Sequence, residues 1–97
     1  MKETFEAALV RYKEAIEHVR TLRTMEDVYE YLNAHNLHSG LCLAVSNKYI
    51  GTIDNVMAKY GAYGAYWART PYSVIVCGGT REQVINALEA RVVLIGH

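Results

Sequence analysis

The sequence predicts a mainly α single domain covering 1–97, built from four or five helices, with a Tyr/Gly-rich loop and room for one short β element. Three observations lead there. Hydrophobic residues make up 52% of the 97-residue chain and charged residues 21%, a balance that supports a packed core and excludes a disordered chain. Apolar residues recur at helical spacing near both ends of the sequence. Capping-box patterns punctuate that spacing at Thr24-Met25-Glu26-Asp27 and at Thr80-Arg81-Glu82-Gln83.

The first helix is expected over residues 3–22. Phe5, Leu9, Tyr12, Ile16 and Val19 form an a/d-type stripe, the spacing that keeps one face toward a partner helix. Acidic residues gather near its start and basic ones near its end, as the helix dipole favours. Intramolecular packing and oligomerisation are both open uses of this stripe. A second, shorter helix follows Thr24, with Val28, Tyr31 and Leu32 on one face, and the polar run Asn33-Ala34-His35-Asn36 ends it. Ser39 is the expected N-cap of a third helix that buries Leu41, Cys42, Val45 and Tyr49. Gly51 stops that helix, and Thr52 caps a fourth through Val56, Met57 and Tyr60, which Gly61 ends. Residues 73–77, Ser-Val-Ile-Val-Cys, have the β-branched content of a short strand. The last helix carries Val84, Ile85, Leu88, Val92 and Ile95. Its end is apolar all round, which points to burial or to an interface.

Ten basic residues are matched by ten acidic ones. A phosphate-tracking surface needs clustered Lys and Arg, so DNA or RNA binding is not expected. Glu3 and Glu6 interrupt any signal-peptide-like apolar run, and no stretch approaches membrane-spanning length. Two cysteines do not make a disulfide scaffold. The expected setting is cytoplasmic. A chain this small and this apolar is expected to bury its surplus surface as a homo-oligomer.

Function is sought first in residues 60–72. Four of the eight tyrosines and the only tryptophan fall in these residues, among glycines and with the only proline, Pro71. Tyr63, Tyr66, Trp67 and Tyr72 offer aromatic faces, and Arg69 can pair with phosphate or carboxylate in two-pronged fashion. The same residue types form hot spots between proteins. Just downstream, Cys77-Gly78-Gly79-Thr80-Arg81 leads into the last helix. Backbone N–H groups at such a helix start can seat an anion, with Thr80 adding a hydroxyl and Arg81 a charge. An ordinary turn into a capped helix accounts for the same residues. The pattern is neither a P-loop nor a dinucleotide fingerprint.

Two further constellations are weaker. His35, His38 and Cys42, with Cys77 distant, are zinc-ligand types but lack a completing set, so neither a metal nor a cofactor is expected. Cys42 or Cys77 with His38 is the one arrangement for nucleophilic catalysis. No complete set of nucleophile, base and orienting group is visible, and free cysteines are commonly buried, so the chain is not expected to be an enzyme.

Gly40-Leu41-Cys42, Tyr49, Tyr66-Trp67, Pro71 and the helix from Arg81 to Leu88 together resemble small accessory proteins of tailed bacteriophages, over roughly residues 28–91. The resemblance implies a host-takeover or counter-defence protein that acts by binding. Two expectations follow. The first is a sponge that sequesters a nucleotide-like immune signal without turning it over. Tyr66, Trp67 and Tyr72 would stack on the base, and Arg69, Gly78, Gly79, Thr80 and Arg81 would hold phosphate. The second is an inhibitor that blocks a host defence protein through the same Tyr-rich loop.

Overall fold

Five helices are set in order by their caps and by the spacing of small and large apolar residues. The structure, a computed structural model, describes residues 3–48, 53–61, 63 and 79–96. Helix α1 spans Phe5–Thr21, α2 Met25–Ala34, α3 His38–Lys48, α4 Ile53–Tyr60 and α5 Arg81–Gly96. Every element among the described residues is helical, and together they form one mainly α domain. The strand expected at 73–77 lies outside the described residues, as do Tyr49, Gly51 and Thr52. Among the described residues, no helix is long and apolar enough to cross a membrane.

Helix α5 is the hub. It packs most extensively on α1, then on α3 and α4. Its buried positions Val84, Ala87, Leu88 and Ala90 alternate small and large side chains, so neighbouring helices can come close on more than one side. The rest of the core includes Tyr12, Val19, Val28, Leu32, Leu37, Leu41, Val45, Val56, Tyr60 and Tyr63.

Helix α1 corrects the expected stripe. The buried positions are Ala8, Tyr12, Ala15 and Val19, while Phe5 is 80% exposed and Leu9 and Ile16 are half-buried. The period is the expected one, but the face is rotated toward the two alanines. Small side chains let α1 approach α5 closely, and large residues at those positions would hold it away. Thr4 caps the helix by accepting from the Ala7 N–H at 3.0 Å.

The second helix follows expectation. Thr24 accepts from Asp27 N–H at 3.1 Å, Val28 and Leu32 are buried, and Asn36 turns the chain with φ of 54°. Ser39 is not the cap of α3. The helix begins at His38, and Ser39 is exposed in its first turn. Leu41, Cys42 and Val45 are buried as expected. Gly61, with φ of 60°, ends α4 in the left-handed region that glycine tolerates. The apolar end of α5 is not fully covered within one chain: Val93 is 39% exposed, and Val92, Leu94 and Ile95 are half-buried.

Candidate functional site

The helix α5 start is built by a reciprocal capping box. The Thr80 N–H donates to Gln83 Oε1 at 2.9 Å, and the Gln83 N–H donates to Thr80 Oγ1 at 3.2 Å. Just before it, the Tyr29 hydroxyl donates to the Gly79 carbonyl at 2.6 Å and accepts from the Gly79 N–H at 2.7 Å. Gly79 has φ of 113°, a conformation that favours glycine. A Cβ there would lie 2.2 Å from Gln83 Oε1 and 3.7 Å from the Cα of Gly61. Gly61 and Gly79 therefore stand together, although most of the aromatic segment separates them in sequence.

Of the donors expected at this turn, those of Gly79, Thr80 and Arg81 are engaged inside the chain. Gly79 N–H goes to Tyr29, Thr80 N–H to Gln83, and Arg81 Nη1 to the Val19 carbonyl near the end of α1. That last bond satisfies a helix-terminal carbonyl and brings a cation to the negative end of α1. A phosphate could use these N–H groups only by displacing Tyr29 and Gln83. Tyr66, Trp67, Arg69, Tyr72 and Gly78 lie outside the described residues.

Tyr63 is not an open aromatic face. It is 1% exposed, and its hydroxyl shares a 2.8 Å hydrogen bond with His38 Nδ1. Their rings are close to parallel, with centroids 6.0 Å apart. Burial pushes the Tyr63 hydroxyl pKa upward and holds the His38 pKa below its ordinary value. Cys42 sits one turn after His38 on α3. Burial pushes its thiol up to about 11, so it is protonated at neutral pH and is a poor nucleophile. His35 is turned to Tyr31, with ring centroids 4.5 Å apart, so His35, His38 and Cys42 do not converge. No group of three or more His, Cys, Asp or Glu among the described residues is placed to hold a metal ion. Cys77 lies outside the described residues.

A polar groove of about 380 Å³ runs beside the α5 start, between α4 and α5, lined by Asn55, Lys59, Thr80, Glu82, Gln83 and Asn86 with Ala58. Gln83 Nε2 donates to the Ala58 carbonyl at 3.0 Å, and Asn86 Nδ2 donates to the Lys59 carbonyl at 2.9 Å. These two amides tie α5 to the carboxyl end of α4, where carbonyls lack helical partners. Sequence reasoning missed Tyr29 and this groove. Tyr29 carries no local signal, because its partner lies fifty residues away. Asn86 and Gln83 are i, i+3 neighbours on one helix face, which could have marked them.

No protein-family model, curated protein or solved structure matches this chain.

Proposed function

We propose that this chain is a non-catalytic binding protein that captures a host defence protein through the aromatic segment carrying Tyr66, Trp67, Arg69 and Tyr72. The observation that carries the reading is the meeting of Gly61 and Gly79, which flank that segment. Tyr63 is anchored to His38 on one side, and Gly79 is held by Tyr29 on the other. A helical body that fixes both flanks of a Tyr/Trp/Arg-rich segment suits recognition, since binding residues commonly sit on segments held by a rigid scaffold. The phage-type resemblance supports the counter-defence setting.

Sequestration of a nucleotide-like signal is the second reading. It draws on the polar groove at Lys59 and Asn86, next to Thr80. It ranks second because the N–H groups of Gly79 and Thr80 and the Arg81 guanidinium already have partners within the chain. Cys-based catalysis has no support from Cys42, whose thiol is held protonated by burial.

One experiment separates the readings. The purified chain is denatured and its released small molecules are analysed by mass spectrometry, and in parallel the immobilised chain is offered host proteins. Capture of one protein that is lost in a Trp67→Ala, Arg69→Ala double variant and kept in Lys59→Ala supports the first reading. Release of a nucleotide at near-stoichiometric amount, with no such protein, overturns it in favour of the second.

A further inference from the structure

Arg91 on α5 differs from the two other arginines that tie helices together. Arg11 directs Nε and Nη2 to Glu3 at 2.8 and 2.9 Å and Nη1 to the His35 carbonyl at 2.7 Å. Arg81 directs Nη1 to the Val19 carbonyl. Arg91 lays its guanidinium over the Tyr12 ring, 5.3 Å from the centroid, and its Nε is buried with no hydrogen-bond acceptor among the described residues. A buried donor left unpaired is costly, more so on a charged group, and calls for an explanation such as an ion.

Two more observations point the same way. The Arg11 guanidinium also lies over Tyr12, 5.1 Å from the centroid, so two cations share this ring. Glu3 is the acid that answers them. The hydrogen bond from Arg11 holds its carboxyl below the usual range, and Arg91 adds to that field. Helix α3 meets the pair at a glycine: a Cβ on Gly40 would come within 2.0 Å of Tyr12 Oη and 3.0 Å of Arg91 Nε. A side chain there would crowd the ground beside the unpaired donor.

We propose that Arg91, beside Tyr12 and Gly40, is a binding site for an oxyanion, the phosphate or carboxylate group of a small ligand, with Glu3 as the internal competitor. The guanidinium offers donors in a planar fork that matches two oxygens of such a group. The Tyr12 face fixes the plane of that fork, so less freedom is lost on binding. Arg91, Tyr12, Gly40 and Glu3 all lie outside residues 64–78 of the sequence, so the proposal is tested apart from partner capture.

The test is calorimetric titration of the whole chain with inorganic phosphate and with acetate at low ionic strength, against a chloride control. Saturable binding of either anion is expected, weakened about tenfold or more in Arg91→Met, the loss of one charge-assisted hydrogen bond or more. Tighter phosphate assigns the site to phosphate ligands, and tighter acetate to carboxylates. Glu3→Gln should tighten binding of the same anion about threefold or more by removing the competitor. Absence of saturable binding by the wild type, or equal affinity in Arg91→Met, overturns the proposal. Should Arg91→Met lose its helical circular dichroism, Glu3→Gln decides, and unchanged affinity there overturns it too.

Discussion

The Tyr29 hydroxyl is bonded twice to Gly79, donating to its carbonyl and accepting from its N–H, at 2.6 and 2.7 Å. One side chain on α2 thus fixes both polar groups of a residue that leads into α5. The cap of α5 and the flank of the aromatic segment are set by one contact.

Tyr29→Phe removes both bonds and leaves the ring. The expected loss is roughly 1–2 kcal/mol, because two ordinary hydrogen bonds are lost while the exposed Gly79 groups regain water. A lower urea midpoint with an unchanged slope would show it. If the proposed partner capture holds, that binding should weaken as well, since the flank of the aromatic segment is released. A Phe variant as stable as wild type would mean that the clamp carries no weight.

Gly79→Ala acts on the same point through the backbone. Its φ of 113° is poorly suited to a side chain, and the new Cβ would meet Gln83 Oε1 at 2.2 Å. Strain and the broken cap act together, so about 1–3 kcal/mol of stability should be lost in the same unfolding assay. An alanine that leaves stability within error would show that the turn relaxes freely.

These two residues also mark what could be read in the sequence. Thr80 with Gln83 and Thr24 with Asp27 were legible because a capping box closes over three residues. The period of α1 was legible, but its buried face was not. Ala8 and Ala15 are buried there while Leu9 and Ile16 are only half-buried, because α1 packs on a helix, α5, that no local pattern in α1 reveals. The helix start at Gly79-Thr80-Arg81 was legible as a cluster of donors. That Tyr29 and the Val19 carbonyl take two of them was not, because those partners lie fifty and sixty-two residues away. Arg91 had no sequence signal, because the residues that set it apart, Tyr12 and Gly40, come from α1 and α3.

The capping box itself gives the next expectation. Thr80→Ala removes the acceptor for the Gln83 N–H, and Gln83→Ala removes both the acceptor for the Thr80 N–H and the bond to the Ala58 carbonyl. Thr80→Ala should cost about 1 kcal/mol, as helix caps typically do, and Gln83→Ala somewhat more. The order is the informative part. If Thr80→Ala is the more damaging in thermal unfolding, the tie from α5 to α4 contributes little.

Cys42 should be inert in the folded chain. With its thiol pushed up to about 11 and 1% of its surface exposed, thiolate and access are both scarce at pH 8. In a Cys77→Ser background, which leaves Cys42 as the one thiol, alkylation by iodoacetamide should be at least about tenfold slower in buffer than in denaturant, since the thiolate is the nucleophile. Equal rates would contradict the burial and reopen a catalytic reading of this residue.

His38 sets the sign of a stability change with pH. Burial disfavours its charged form, so its folded pKa lies below the ordinary 6.5. Between those two values the unfolded chain binds more protons than the folded one. Stability therefore rises with pH in that window and is lost as pH falls through 6.5 toward the folded value. Charging the imidazole also forbids His38 Nδ1 from accepting the Tyr63 hydroxyl proton, where that is the direction of their bond. Glu3 works in a separate, lower range. Its folded pKa is depressed by Arg11, so its contribution is kept above the ordinary 4.5 and is lost only as pH falls below that. Urea midpoints at pH 7.5 and pH 5.5 should thus differ in the wild type, with the acid value lower, and the gap should shrink in His38→Gln. A gap of the same size in that variant would move the pH response away from His38.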